Sequence, residues 1–231
     1  MRKIAIVIPV KGRNPKGRLA TLFGAKQRKQ LQLAMLEDAL QAIGTAGKLS
    51  EAYVVSSDLE ILKFADRFGV GSVVESKDEG VNQAVERAIS NLDGYDGWLV
   101  IPADLPLISA NDIKTVLELV RMGSLVIISP SEDYSGTNML LMSRKARIRL
   151  HYDDDSFNKH VREASSKKVR FAVYYSQSVS FDIDSAVDVH RYFAFGSRNS
   201  TMNFLERTLK KGRIAERSLR EKLGKGPGSE A

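Results

Sequence analysis

Apolar residues run without a break through "KIAIVIPV" (3–10), and the run ends abruptly at a polar loop, which predicts a strand buried on both faces. The period then changes. In "KQLQLAMLEDALQAI" (29–43), Leu33, Leu36, Leu40 and Ile43 recur at helical spacing. "EAYVVSS" (51–57) predicts the next strand, and "DLEILKFADRFG" (58–69) a helix capped by Asp58 and ended at Gly69. The alternation continues with a short strand over 70–75, a helix over 80–92, and a strand running into a turn over "GWLVIPADLP" (97–106). A helix over 109–123 follows, with Ser109 and Asp112 as a capping-box-like pair, and then a strand over 124–131.

Strands alternating with helices at this spacing predict an α/β fold: a doubly wound, mostly parallel sheet flanked by helices. Such sheets bind ligands beyond the carboxyl ends of their strands, so the loops 11–18 and 103–106 should face one crevice. After Pro130 the rhythm shifts. The pattern predicts strands over 137–143, 169–175 and 179–184 and helices over 156–164 and 185–195. Residues 1–195 read as one domain. Residues 196–231 read as a basic helical extension, an amphipathic helix or helical pair from Ser200 that packs through Met202, Leu205, Leu209 and Ile214 on its own core or on a neighbouring subunit. Its end, "GKGPGSEA", reads as disordered.

Composition narrows the classes. With 43% hydrophobic residues in 231, the chain suits one compact domain with an appendage. No run approaches the roughly 18 apolar residues of a membrane span, and "MRKIAIVIPVKG" turns polar too soon for a signal peptide. The absence of cysteine excludes disulfides, thiolate catalysis and cysteine-held metals, and three scattered histidines do not make a zinc triad. The expectation is a cytoplasmic protein. Of the net charge of +7, most lies in residues 196–231, where nine Lys/Arg face four Asp/Glu. That segment holds a single aromatic residue, Phe204, so a nucleic-acid-binding module is disfavoured.

Three stretches carry candidate chemistry. "IPVKGRNPKGRLA" (8–20) places Lys11, Arg13, Lys16 and Arg18 among glycines after the first strand. Glycine lets backbone N–H groups approach an anion and the cations neutralise it, although the loop matches neither the Rossmann nor the Walker fingerprint. The bland alternative is a solvated loop. "IPADLP" fixes Asp104 between two prolines at a strand end, where a carboxylate can hold Mg²⁺ against phosphate oxygens or merely cap a turn. "FDIDSAVDV" offers Asp182 and Asp184 as further ligands, against the simpler role of capping the next helix.

Taken in order, "IPVKGRNPKGRLA", "MLEDAL", "EGVNQAVERAI", "IPADLPLI", "SPSEDYSGTNMLLM", "DSFNKHVREA" and "FDIDSAVDV" resemble the archaeal branch of the 2-phospho-L-lactate guanylyltransferase family. That family lies within the nucleotidyltransferase superfamily that includes molybdenum cofactor guanylyltransferase. The likeness spans residues 2 to about 195. It implies a nucleotide-diphospho-sugar transferase-like fold, Mg²⁺, and a cytoplasmic homodimer that condenses GTP with 2-phospho-L-lactate on the way to coenzyme F-420. It further implies that Val10, Lys11, Lys16, Arg18, Asn82 and Asp104 bind the nucleotide, with Lys16, Arg18 and Asp104 catalytic. Asn82 is the candidate for the guanine edge, its alternative being a helix cap. Gly136, Thr137, Asn138, Asp153 and Ser156 would meet the acceptor, and Asp104 and Asp184, with Asp182 as second choice, the metal.

Two positions depart from the family pattern. Gly17 replaces a serine in K-S-R-L, and Asp153 stands where a glycine is common. A carboxylate there repels an anionic acceptor unless it points away or binds metal, so phosphoenolpyruvate and 3-phosphoglycerate stay open as acceptors. A molybdenum cofactor guanylyltransferase is disfavoured because the glycine run L-A-G-G-x-S is missing.

Overall fold

Alternate residues of the first strand, β1 (Ile4–Pro9), feed two different cores, which fixes this strand at the centre of a covered sheet. The computed structural model describes residues 3–13, 15–123, 125–195 and 198–210. Ile4, Ile6 and Ile8 meet α1 (Ala25–Thr45), α2 (Leu59–Asp66) and α4 (Ala110–Arg121). Ala5 and Val7 meet α3 (Val81–Asn91) and α5 (Ser156–Ser166) on the other face.

β1 pairs in parallel with β2 (Ala52–Ser56) and β4 (Gly97–Val100), and β2 pairs in parallel with β3 (Gly71–Val74). Beyond β4 lies β6 (Thr137–Ser143), antiparallel both to β4 and to β5 (Val126–Pro130). β7 (Phe171–Val173) closes that edge in parallel with β5. The order β3-β2-β1-β4-β6-β5-β7 is therefore mostly parallel, with one reversed strand inserted. Strand order changes direction between β1 and β4, the point at which doubly wound sheets open a crevice.

The caps read from the sequence form as expected. The Asp58 side chain accepts from Glu60 N–H, and Ser109 and Asp112 form a reciprocal capping box. One element differs. The stretch 179–184 is not a strand: α6 (Gln177–Ser180), capped by Ser176, turns directly into an extended segment. β6 is already paired on both sides, so this segment has no free edge beside it. One backbone bond, Ile183 N–H to Asp104 O at 3.3 Å, ties it to the loop after β4.

A third core joins the two ends of the chain. Leu19, Phe23, Leu31 and Met35 pack with Val189 and Tyr192 of α7 (Ala186–Tyr192) and with Met202 and Leu205 of α8 (200–210). The extension thus begins as a helix on its own domain's core. Ile214 and the "GKGPGSEA" end lie outside the described residues.

Candidate active site

The loop after β1 is held from both sides before any ligand arrives. From α1, the buried Arg28 guanidinium donates to Pro15 O at 3.1 Å and Phe23 O at 2.9 Å, and Gln32 donates to Lys11 O at 3.0 Å. Opposite, the Asp78 carboxylate accepts from Gly12 N–H at 3.1 Å, Arg13 N–H at 2.7 Å and Ser57 Oγ at 2.6 Å. Those bonds hold the Asp78 carboxyl below its usual range against the opposing effect of its burial.

Lys16 is the pivot of the loop. Its backbone is left-handed (φ 53°), an unusual conformation for a residue with a side chain. Its Nζ lies 2.8 Å from Asp104 Oδ2 and 2.6 Å from Asp184 Oδ1, with the side chain only 9% exposed. Burial alone would lower its pKa, but Asp104 and Asp184 outweigh it and hold the ammonium above its ordinary value. Arg18 stays largely exposed, 3.9 Å from Asp184.

The carboxylates reach this ammonium from two loops brought together by the sheet. Asp104 does not cap a helix, because α4 begins after Ser109. Asp184 is free as well, because Ser185 caps α7 through a capping box with Asp188. Asp182 sits deeper, accepting from Asn138 Nδ2 at 3.3 Å. Burial first, then Asp104 and Asp184, push its pKa up to about 7. Among the described residues no three acidic or histidine side chains form a ready metal cage. The oxygen donors do suit Mg²⁺, which takes one or two carboxylates with water and phosphate. Two carboxylates on one ammonium, with Asp182 behind them, also leave negative charge that a divalent ion would balance.

Three cavities meet here. One of about 360 Å³ is lined by Lys11, Lys16, Gly17, Arg18, Asp104 and Asp184. It shares Pro9, Lys11 and Val81 with a second, of about 390 Å³, that reaches Glu75, Asp78 and Tyr152. It shares Arg18 and Asp184 with a third, of about 560 Å³, that reaches Gly136 and Asp182.

The residues expected at the acceptor divide. Gly136 opens on the third cavity, whereas Thr137, Asn138 and Ser156 are almost enclosed and are not among the residues that line it. Thr137 N–H donates to Ser156 Oγ at 2.7 Å, and Thr137 Oγ1 lies 2.9 Å from His160 Nδ1. His151 N–H donates to His160 Nε2 at 2.9 Å. An amide can only donate, so Nε2 accepts and Nδ1 of the neutral ring carries the proton to Thr137. Burial, with His151 adding to it, lowers the His160 pKa to about 4 and keeps the ring neutral. Both hydroxyls therefore accept from buried neighbours and retain a proton to donate. Asn138 spends its amide on Val179 O and Ser180 O, at 2.9 and 3.0 Å, which orients the Asp182 segment.

Asp153 is half-exposed and paired with Lys159 at 3.0 Å, so its charge is neutralised locally. Asn82 needs a correction. It is not a cap, since Gly80 holds that position, and its Oδ1 accepts from Tyr152 N–H at 2.8 Å. Half of its amide is thereby spent on the cavity wall. Val10 is buried and contributes its backbone N–H to Val55 O. Sequence reasoning passed over Arg28, Gln32, Asp78 and His160. In the sequence nothing marks a helix-facing Arg or Gln as a loop clamp.

The model of the guanylyl transferase CofC-like family matches residues 4–221. The chain belongs to this family. Within it, the 2-phospho-L-lactate guanylyltransferase of Methanocaldococcus jannaschii is 34% identical, over 88% of this chain and 88% of its own. The phosphoenolpyruvate guanylyltransferase of Rubrobacter xylanophilus is 35% identical, over 82% of this chain and 93% of its own. A solved nucleotidyl transferase from Methanothermobacter shares the fold at a TM-score of 0.62 and 17% identity, covering 89% of this chain and 99% of that one. The CofC-like chain is thus a guanylyltransferase built on a nucleotidyltransferase fold. No helix among its described residues is long and apolar enough to cross a membrane.

Proposed function

We propose that the protein condenses 2-phospho-L-lactate with GTP to give lactyl-2-diphospho-5′-guanosine and pyrophosphate, a step towards coenzyme F-420. The observation that carries this reading is a middle cavity holding Lys16, Asp104 and Asp184 that adjoins a second cavity through Pro9, Lys11 and Val81 and a third through Arg18 and Asp184. The family's substrates have three parts to accommodate: a base, a triphosphate and a small phospho-acid. In the reaction a phosphate oxygen of the acceptor forms a bond to the α-phosphorus of GTP, and the bond from that phosphorus to the oxygen of the leaving pyrophosphate breaks.

Such transfers depend on positioning and charge neutralisation more than on a covalent nucleophile. Lys11, Lys16 and Arg18 would hold the triphosphate in the middle cavity. Gly136 and the inward-braced hydroxyls of Thr137 and Ser156 would present donors to the acceptor's carboxylate or phosphate. Asp104 and Asp184, with Asp182 behind them, would hold Mg²⁺, which when bound offsets the charge of the phosphates. A cytoplasmic homodimer belongs to the same proposal, and light scattering checks the dimer.

Phosphoenolpyruvate is the second acceptor to weigh, because a relative named for it is as similar as those named for phospholactate. The test is pyrophosphate release with each nucleoside triphosphate, Mg²⁺, and 2-phospho-L-lactate, phosphoenolpyruvate or 3-phosphoglycerate in turn. Release with GTP and phospholactate is expected. Release only with another acceptor would replace phospholactate in this reading.

A further inference from the structure

Two carboxylates line the cavity beyond Lys11, and their surroundings differ. Asp78 is spent on the loop, with Gly12 N–H, Arg13 N–H and Ser57 Oγ all donating to it. Glu75, just past β3, is 6% exposed, and only its backbone is engaged, N–H to Ser56 O at 3.0 Å. Among the described residues no hydrogen-bond donor reaches its carboxylate, and burial first, then Asp78, raises its pKa. Its carboxylate is therefore open only to the cavity it lines, where a ligand's donors would be its partners.

The rest of the cavity says what would supply the donors. Pro9, Val10, Val81 and Ala84 give it apolar walls, and Tyr152, fastened by Asn82, bounds it further. A flat heterocycle fits an apolar slot ending in one acceptor-only group. A carboxylate takes two parallel donors. Guanine presents such a pair side by side, N1–H and the 2-amino group, whereas adenine offers a lone pair at N1 and no 2-amino group.

We infer that Glu75 reads the guanine base, its two carboxylate oxygens accepting from N1–H and from the 2-amino group. This rests on the GTP reading above and names the residue that selects the base. Asn82 then acts on the wall of the pocket through Tyr152. Asp78 acts on every nucleotide alike, because it braces the loop.

Calorimetry on the full chain with Mg²⁺, using GTP, ITP and ATP as probes, tests the assignment. ITP keeps N1–H and lacks the 2-amino group. Glu75→Gln should weaken GTP by about 10- to 150-fold, the loss of a charge-assisted pair, while ATP affinity stays within about threefold. Asp78→Asn should weaken GTP and ATP by the same factor. Preference for GTP over ATP that survives in a folded Glu75→Gln would overturn the assignment. If that variant does not fold, the parent decides: ITP about tenfold or more weaker than GTP supports it, and equal affinity overturns it. A parent that releases pyrophosphate from ATP as readily as from GTP would instead sink the GTP reading, and this inference with it.

Discussion

Asp104 lies 2.8 Å from an ammonium that Asp184 shares at 2.6 Å, and the two acids come from loops 80 residues apart in the chain. Removing one charge from this set changes electrostatics without opening a core. Asp104→Asn should therefore lower turnover by roughly 10²- to 10³-fold with little change in melting temperature. Near-normal pyrophosphate release from the folded variant would remove Asp104 from the chemistry. His160 gives a separate, stability-based prediction. Its folded pKa, about 4, lies below the unfolded value near 6.5, so between those values the unfolded chain binds more protons. Its contribution is present above pH 6.5 and lost as pH falls towards 4. From pH 7 to 5 this amounts to about 2 kcal/mol, and urea unfolding of His160→Gln should show a shallower decline than the parent. At this scale the sequence spoke unevenly. Asp104 stood out because two prolines framed it at a strand end, and Asp184 because it alternates with Asp182 just before a helix. Glu75 did not, because a Glu after a short strand reads as solvated until its burial is seen.

The elements were legible wherever period and cap agreed. β1 to α4 follow the expected order, and the Asp58 and Ser109 caps sit where the pattern put them. The misread stretch, 179–184, alternates like a strand, yet pairing needs a free edge and β6 has none. Its alternation serves packing instead: Phe181 and Ile183 enter the third core while Asp182 and Asp184 face the cavity. The start of the extension, 200–210, was legible as a helix but not by its anchor. Asp38, buried in α1, accepts from Ser200 N–H at 2.8 Å and Thr201 N–H at 3.0 Å, so one helix caps another across the fold. No sequence rule links a helix interior to a cap 162 residues away. Asp38→Ala should cost about 1–2 kcal/mol. Truncation after Phe195 also strips Met202 and Leu205 from the third core, at about 1.5–3 kcal/mol each. Denaturant melts should rank parent, Asp38→Ala and truncation in that order of stability. A truncated chain as stable as the parent would show that α8 contributes nothing to the core.

On the scale of the whole molecule, the proposed nucleotide site is a place where segments distant in the chain meet. The middle cavity and the one beyond Lys11 are lined by the ends of β1 and β3, the loop after β4, the start of α3 and the segment before α7. A ligand bridging these segments binds the folded state alone and so stabilises it by linkage, about 2.7 kcal/mol at a hundredfold excess over its dissociation constant. For a domain of this size each kcal/mol raises the melting temperature by roughly 2–4 °C, so saturating GTP with Mg²⁺ should add about 5–11 °C. In the proposed reading, Mg²⁺ would act through Lys16. While its ammonium is the counter-charge of Asp104 and Asp184, it is less available to phosphate, and a divalent ion that takes over that charge releases it. The same GTP in EDTA should therefore give a distinctly smaller shift. Lys16→Met should lose most of the shift under both conditions, since the loop then lacks its buried cation. Thermal melts across a GTP titration, with Mg²⁺ or with EDTA, read all three outcomes. An equal shift in Mg²⁺ and in EDTA would mean that the carboxylates and the triphosphate do not compete for Lys16.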